Sequence, residues 1–393
     1  MNLPAPPPAA LPDYQGGSLL NLMASITAAC GGAPLHPPLI LLPPKELAPA
    51  RNIILLLVDG LGFRLLRDSP HAPNFRRYLR GSLTSVFPST TASAIATLFT
   101  GLAPSQHGIT GWFTYLKQAQ AVTAILPFET RGDARPLGEL GIAPQDVFIG
   151  PPLFDTLGIA CWALLPHRIA DSDFSRFHCG RAIRVGYGGR AALFRQALRI
   201  VRIHPDRKLI YAYLPDLDAL AHQRGIGSPQ AARLLAALDK EFGLFLQGLA
   251  GTDTYVLVTG DHGFVDIPPE GLLKLEDHPE LKQALAHPLS GESRVAYCRV
   301  KPDRCAGFEA YAADKLADHA TLHHREKLLD EGWFGPGPYH PDIADRLGDY
   351  ILVMRPGRVT RDHVPGETRP SFVGYHGGVT PDEMEIPLVL AKI

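Results

Sequence analysis

The chain has 393 residues, of which 46% are apolar and 20% charged, an ordinary globular composition that excludes a disordered or fibrous chain. Lysine and arginine number 38 against 39 acidic residues, so there is no basic excess for binding a nucleic-acid duplex. The five cysteines are sparse and form no CxxC pair, which predicts a reducing, cytoplasmic location. No apolar run approaches the ~18 residues of a membrane span, so we expect no membrane association.

Residues 1–50 are proline-rich and hold eleven of the 37 prolines. Because proline disrupts helices and central strands, we predict an extended N-terminal arm with one or two helical turns, either wrapped on the core or partly disordered. A short helix is expected between residues 18 and 29. No lysine or arginine precedes Lys45, so this stretch lacks the basic start of a secretory signal.

Residues 51–265 alternate between strand and helix patterns. The apolar run Asn52–Val58 is typical of a strand buried on both faces, and the alanine-rich stretch Thr91–Thr100 is typical of a helix that Gly101 ends. Further strands are predicted at 83–87, 159–165, 208–214 and 254–259, and further helices at 74–80, 191–203 and 230–250. This order predicts an α/β fold, with a doubly wound, mostly parallel sheet and helices on both faces.

Residues 266–370 lack this alternation, and we predict that they form a smaller inserted lid or substrate subdomain. Within it, His323 and His324 are expected on an exposed helical stretch, with no role in the site. Residues 371–393 then return to the core through a last strand at 386–393.

Six polar side chains with metal-binding chemistry lie in loops expected at one edge of the sheet, the edge where ligands bind in open α/β folds. They are Asp59, Asp218, His222, Asp261, His262 and His376. Asp218 and His222 have the i, i+4 spacing that places both on one helix face, whereas the nearby Asp216 does not. Mixed carboxylate and imidazole donors suit zinc or a similar ion, and six of them make two metals plausible.

A hydroxyl nucleophile is available at the start of the helix predicted from residue 91, where Thr90 and Thr91 lie. Such a hydroxyl usually only caps the helix. The same position also offers free backbone N–H groups and the positive end of the helix dipole, which favour phosphate.

Five motifs, in order, resemble the nucleotide pyrophosphatase/phosphodiesterase (type I phosphodiesterase) family of the alkaline phosphatase superfamily. They are LLLVDG, FPSTTAS with FTGLAPSQHGI, PDLDALAH, VTGDHGF and GYHGG, and they span the chain from about residue 52. The resemblance implies an alkaline-phosphatase-like fold in which Asp218, His222 and His376 hold one divalent metal, and Asp59, Asp261 and His262 the other. It also implies that Thr91 forms a phosphothreonine intermediate and that the Ala92 N–H contacts the phosphate. We expect zinc, although manganese accepts the same ligands.

We therefore expect a two-metal hydrolase of phosphate diesters or nucleotide pyrophosphate bonds, with a small phosphate ester or nucleotide as substrate. A phosphomonoesterase or phosphonate hydrolase on the same core is the alternative. The resemblance implies an asparagine three residues after the nucleophile in phosphodiesterases, whereas this chain has Ala94, which favours neither function. The chain lacks the Cys-x-Pro-x-Arg of sulfatases, and a threonine nucleophile disfavours a phosphoglycerate mutase. A purely structural metal protein is disfavoured because structural zinc usually has four ligands rich in cysteine.

Four further residues near the predicted nucleophile helix are candidates for catalysis or substrate binding. We expect His107 to make structural hydrogen bonds and not to catalyse. Trp112, Phe113 and Tyr115 are expected either to stack on an aromatic part of the substrate or to pack against the core or lid.

Overall fold

The computed structural model describes residues 9–367 and 372–393. Residues 1–8 of the predicted arm, 368–370 at the end of the predicted lid, and residue 371 therefore lie outside the described residues. The strands are β1 (Asn52–Val58), β2 (Leu79–Thr84), β3 (Phe113–Leu116), β4 (Ala121–Ala124), β5 (Glu129–Thr130), β6 (Ala160–Pro166), β7 (Ile183–Tyr187), β8 (Lys208–Leu214), β9 (Thr254–Thr259), β10 (Val265–Asp266), β11 (Leu272–Lys274), β12 (Ser290–Gly291), β13 (Val295–Cys298), β14 (Ala320–His324), β15 (Tyr350–Met354), β16 (Val359–Arg361), β17 (Gly374–Tyr375) and β18 (Glu385–Lys392).

Over most of residues 51–265, the α-helices alternate with the strands, as the sequence pattern predicts. In chain order, the α-helices are α1 (Leu19–Ala29), α2 (Pro44–Leu47), α3 (Phe63–Asp68), α4 (Pro73–Arg77), α5 (Thr91–Thr100), α6 (Pro104–His107), α7 (His167–Ala170), α8 (Asp173–Cys179), α9 (Arg190–Ile203), α10 (Asp216–Arg224), α11 (Pro229–Gly248), α12 (Pro279–Ala284), α13 (Cys305–Lys315), α14 (Arg325–Asp330), α15 (Ile343–Leu347) and α16 (Pro381–Met384).

The main sheet has seven strands in the order β2-β18-β9-β1-β8-β6-β7. Strands β9, β1, β8, β6 and β7 run parallel, whereas β18 lies antiparallel to both β9 and β2. The predicted mostly parallel sheet is confirmed. The strand predicted at 83–87 starts earlier, at Leu79, because residues 79–84 pair with the last strand, β18.

Both faces of this sheet are covered by helices, as the apolar run in β1 predicts. Its odd-numbered residues, such as Leu55, join a core cluster with α1, α5 and α8. Its even-numbered residues, such as Leu56, join a second cluster with α4, α9 and α11. Because successive side chains of a strand point to opposite faces of the sheet, one apolar run contributes residues to both cores.

The described part of the N-terminal segment packs on the core, and it is more helical than the one or two turns that the prolines predict. Helix α1 has eleven residues, and ten of them are buried. It packs against α5 in the same core cluster, so its apolar residues and not the flanking prolines determine its structure. Prolines 43 and 44 lie just before and at the start of α2, where a missing N–H costs no hydrogen bond.

A second sheet has seven strands in the order β14-β15-β13-β12-β3-β4-β5. Most of its strands come from the segment predicted as an inserted subdomain, but β3, β4 and β5 come from residues 113–130, within the predicted core. The two segments join where β12 pairs with β3 at Gly291 and Phe113. A Cβ on Gly111 would lie 2.8 Å from Gly291 Cα, so the absence of side chains allows this close approach. The second sheet therefore contains strands from both sides of the predicted boundary between residues 265 and 266.

His323 and His324 lie in β14, an edge strand that pairs with β15, and not in the helix that we expected. The polar composition of this stretch reflects its place at the sheet edge.

Candidate active site

Three neighbouring parallel strands deliver the predicted metal-binding residues to one edge of the main sheet. Asp59 follows β1, Asp261 and His262 follow β9, and α10 carries Asp218 after β8. β17 brings the loop of residue 376 to the same edge by pairing with β10, directly after the β9 loop. The structure therefore gathers all six predicted residues into two groups of three.

The first group contains Asp59, Asp261 and His262, which are all buried. The His262 Nε2 atom lies 3.3 Å from Asp59 Oδ1 and 3.5 Å from Asp261 Oδ2. On its other side, His262 Nδ1 lies 2.9 Å from the Gly263 carbonyl oxygen, so it donates there and leaves the Nε2 lone pair directed into the group.

Asp261 shows that this group has room for a cation. Its Oδ1 accepts hydrogen bonds of 3.0 Å from the N–H groups of Gly60 and His262. Its Oδ2 is buried without any hydrogen-bond partner in the described structure. A buried carboxylate oxygen without a partner is costly, and a metal ion would satisfy it.

The second group contains Asp218, His222 and His376. His222 Nε2 lies 3.3 Å from Asp218 Oδ1 and 3.2 Å from His376 Nε2. The Nδ1 atom of His222 faces the Gly374 carbonyl oxygen at 2.9 Å, again leaving Nε2 as the inward atom. Asp218 Oδ1 is also buried without a hydrogen-bond partner, so this group fits a cation by the same criterion.

The two groups are adjacent, because the rings of His262 and His376 stack with centroids 3.7 Å apart. Burial, and then repulsion from Asp218, raises the pKa of Asp59 well above its usual range. Burial, and then repulsion from Asp59, does the same to the pKa of Asp261. Burial, followed by the neighbouring histidines, lowers the pKa of His376. Two divalent ions would offset this concentration of carboxylates, and the mixed oxygen and nitrogen donors suit zinc or manganese.

Thr91 is the first residue of α5, and its side chain points at the first group. Its Oγ1 lies 3.1 Å from His262 Nε2 and 3.4 Å from Asp59 Oδ1. Thr90 points elsewhere, since its hydroxyl donates a 2.7 Å hydrogen bond to the Glu292 carboxylate. The structure thus places Thr91, and not Thr90, beside the metal-binding residues.

The amino terminus of α5 has free donors for a phosphate group. Thr90 is the N-cap residue, yet its side chain does not bond the helix N–H groups because it is held by Glu292. Thr91 and Ala92 occupy the first two helical positions, whose N–H groups have no acceptor within a helix. The Ala92 N–H therefore lies where the sequence analysis expects a phosphate contact.

Asp216 and Ala94 both lie outside the site. Asp216 pairs with Arg190 at 3.0 Å and belongs to neither group, so the spacing argument for Asp218 is consistent with the geometry. Ala94 is buried in the core cluster that α5 shares with α1. Ala94 does not line the pocket described below.

A pocket of about 990 Å³ opens beside Thr91 and the second group. The residues that line it are Thr90, Thr91, Trp112, Phe113, Asp218, His222, Asp266, Ile267, Pro268, Pro269, Leu272, Lys274, Glu292, Ser293, Val359, Thr360, Arg361, Phe372, Val373, Tyr375 and His376. Trp112 and Phe113 thus face the pocket, whereas Tyr115 stacks on His287 and does not line it.

Glu292, Lys274 and Arg361 are charged pocket residues that the sequence analysis missed. No local motif marks them, because they reach the pocket only through the pairing of distant strands. Glu292 is held by the Thr90 hydroxyl and by the Trp112 N–H at 2.6 Å. His107 has the structural role that we predicted, with hydrogen bonds to Thr97 Oγ1 and the Ile109 N–H.

Three comparisons with known proteins bear on this site. A family model described as type I phosphodiesterase / nucleotide pyrophosphatase matches residues 53–378. Among solved structures, murine ectonucleotide pyrophosphatase / phosphodiesterase 5 is similar with a TM-score of 0.62 and 18% identity, over 86% of this chain and 87% of that chain. An inactive variant of that protein was solved in complex with AMP. The comparison with curated proteins gave no match.

A second similar structure is phosphonoacetate hydrolase from Sinorhizobium meliloti 1021 in complex with phosphonoformate. It has a TM-score of 0.62 and 17% identity, over 87% of this chain and 90% of that chain. Both structures support the predicted α/β fold. Within the described residues, no helix combines the length and apolar character that crossing a membrane requires.

Proposed function

The chain belongs to the type I phosphodiesterase/nucleotide pyrophosphatase family, and we propose that it cleaves phosphate diesters or nucleotide pyrophosphate bonds with Thr91 as nucleophile and two divalent metal ions. As a member of this family, it is a hydrolase that acts on phosphoester bonds. The cytoplasmic location stays a prediction from the cysteine content.

The observation that carries the proposal is the position of the Thr91 hydroxyl. It lies at the start of α5, beside Asp59 and His262, and the other ligand group is adjacent through the stacked rings of His262 and His376. The proposed nucleophile therefore lies next to both proposed ligand groups, and Thr91 lines the pocket together with the second group. Zinc is the proposed ion, with manganese as the alternative.

The residues have distinct roles in the proposed reaction. The Thr91 oxygen forms a bond to phosphorus as the bond to the leaving oxygen breaks, and water then hydrolyses the phosphothreonine to restore the hydroxyl. Asp59, Asp261 and His262 would hold one ion, and Asp218, His222 and His376 the other. When bound, the ions would lower the pKa of the Thr91 hydroxyl and stabilise the leaving oxygen. The Ala92 N–H would donate to a non-bridging phosphate oxygen.

The test compares three substrates on the zinc-loaded protein: bis-p-nitrophenyl phosphate, the p-nitrophenyl ester of thymidine 5′-monophosphate, and p-nitrophenyl phosphate. We expect the diesters to be preferred, and we expect Thr91→Ala to lower kcat by about 10³-fold or more because the nucleophile is lost. Thr100→Ala is the matched control. Thr100 is the last residue of α5, its hydroxyl donates to the Ala96 carbonyl oxygen, and its replacement should change kcat little.

Two outcomes would contradict the proposal in different ways. A preference for p-nitrophenyl phosphate that Thr91→Ala abolishes would identify the phosphomonoesterase alternative on the same core. Diester hydrolysis that survives Thr91→Ala would show that the Thr91 oxygen is not the nucleophile.

A further inference from the structure

Two cations stand side by side on the pocket wall formed by β11 and β16. These strands pair in parallel, and Lys274 is the direct partner of Arg361 in their register. Both residues line the same pocket as Thr91. Lys274 is exposed and Arg361 partly exposed, so the pair lies on the open side of the pocket.

Neither cation is paired with an acid among the described residues, since no ion pair or hydrogen bond involves either side chain there. Apart from Asp218, which belongs to the second ligand group, the carboxylates of the pocket bond other groups. Asp266 accepts the N–H groups of Ile226 and Gly227, and Glu292 accepts the Thr90 hydroxyl. Adjacent like charges on neighbouring strands repel each other, and a bound anion would remove that cost.

The size of the pocket gives a second, independent indication. Its volume is in the range of cavities that hold a whole small-molecule ligand, and exceeds what a single phosphoryl group at Thr91 would fill. A substrate that reacts at Thr91 and extends along the pocket would bring its far end to the β11–β16 wall.

We propose that Lys274 and Arg361 form a subsite for a second anionic group, a phosphate or a carboxylate, on a substrate whose reacting phosphorus lies at Thr91. This inference rests on the proposed function and narrows its substrate class to compounds with two anionic groups. The Arg361 guanidinium offers a planar pair of donors for two oxygens, and the Lys274 ammonium adds a point charge.

The test measures binding in the Thr91→Ala background, loaded with zinc, so that turnover does not obscure affinity. Calorimetry compares two ligand pairs whose members differ by one anionic group: ADP with AMP, and phosphonoacetate with methylphosphonate. The double variant Lys274→Gln/Arg361→Gln removes both charges from the wall. Lys282→Gln is the matched control, because Lys282 is exposed on α12 and outside the pocket.

We expect the ligand with the extra anionic group to bind about tenfold tighter in at least one pair. The double variant should abolish this preference, whereas Lys282→Gln should keep it. The pair that shows the preference identifies the anion as phosphate or carboxylate.

The inference is overturned if neither pair shows a preference, if the preference survives the double variant, or if the double variant weakens both members of a pair equally. Failure of the proposed function has a different signature. Protein with Thr91 intact would then hydrolyse no phosphate ester, whatever the binding preference of the Thr91→Ala background.

Discussion

Gly263 fixes the position of His262 through a close backbone approach. A Cβ at residue 263 would overlap the carbonyl oxygen of Asp382 and lie 3.0 Å from Gly62 Cα. Because all the crowding atoms belong to the backbone, an alanine here must displace the loop, and the Gly263 carbonyl that orients the His262 ring would move with it.

We therefore predict that Gly263→Ala lowers kcat/KM for bis-p-nitrophenyl phosphate by about 10²-fold, the effect of a misplacement of roughly 1 Å. Gly138→Ala is the control, since no atom lies within 4 Å of a Cβ built there. Unchanged kcat/KM in Gly263→Ala would show that the loop adapts without moving His262.

The ion pair of Arg294 and Glu383 is fully buried and bidentate, with N–O distances of 2.9 and 2.8 Å. Glu383 also accepts hydrogen bonds from the Gly378 N–H and the Thr380 hydroxyl. Burial alone would raise the pKa of Glu383, but attraction to Arg294 and these hydrogen bonds outweigh it and hold the pKa below its usual value.

A lowered pKa in the folded state fixes the sign of the pH effect. The stability from ionised Glu383 is complete above about pH 4.3, the usual glutamate pKa, and falls as the pH drops through the lower folded pKa. We predict that Glu383→Gln costs about 3–5 kcal/mol of unfolding free energy at pH 7, because Arg294 is left buried without a counter-charge.

Urea unfolding between pH 3 and 7 checks this prediction. The difference in unfolding free energy between Glu383→Gln and the unmodified protein should become smaller toward pH 3. Asp303→Asn is the control, because Asp303 is in an exposed pair with Arg304 and should change stability little. A Glu383→Gln deficit that does not vary with pH would refute the linkage.

At the level of elements, α1 supports the helix that carries Thr91. Leu22 is fully buried in the core cluster shared by α1 and α5. We predict that Leu22→Ala lowers the unfolding free energy by about 2–5 kcal/mol through lost burial and the cavity left behind. Leu35→Ala, at a side chain that is 75% exposed, is the matched control in thermal and urea unfolding. Equal stability of the two variants would mean that α1 is not part of the cooperative core.

The elements that the sequence predicts well are those whose signal is local. Strand β1 is marked by one apolar run and α5 by an alanine-rich stretch with a glycine at its end, and both bounds agree with the structure. Residues 113–130 carry no such local signal for the second sheet. Strand β3 joins the rest of that sheet through β12, where Phe113 pairs with Gly291, nearly 180 residues later in the chain.

The same distinction holds for the site. The six candidate metal ligands lie in short motifs, and the sequence alone identifies all of them as candidates. Lys274 and Arg361 escape sequence reasoning because their proximity depends on the pairing of β11 with β16. The proline content of the N-terminal segment predicts too little helix. The apolar residues of α1, which are buried where it packs on α5, are the better guide to its length.

At the level of the whole molecule, we expect the two candidate ligand groups to make stability depend on bound metal. In the absence of an ion, burial and then repulsion from Asp218 raise the pKa of Asp59, and burial and then repulsion from Asp59 raise the pKa of Asp261. A raised folded-state pKa means that the metal-free protein gains stability from these protonated groups at low pH and loses it as the pH rises. Metal binding needs the deprotonated forms and should strengthen with pH.

We predict that removal of divalent ions by EDTA lowers Tm at pH 7.5 and that zinc restores it, with a gain of roughly 4 kcal/mol when free zinc exceeds Kd a thousandfold. Differential scanning calorimetry with and without zinc measures this. The variant Asp59→Asn/Asp261→Asn is the comparison, since it replaces two candidate ligand carboxylates with neutral amides and should show a smaller zinc effect. A Tm that is independent of zinc in the unmodified protein would exclude metal binding by these groups.

The loop that carries His376 lies late in the chain, just before α16 and the strand β18 that completes the main sheet. During synthesis, the residues of both ligand groups up to His262 emerge long before this last histidine. The second group therefore closes only after the remainder of the second sheet has been made. An ion that needs all three of its side chains could not template early folding, and would instead stabilise the completed fold.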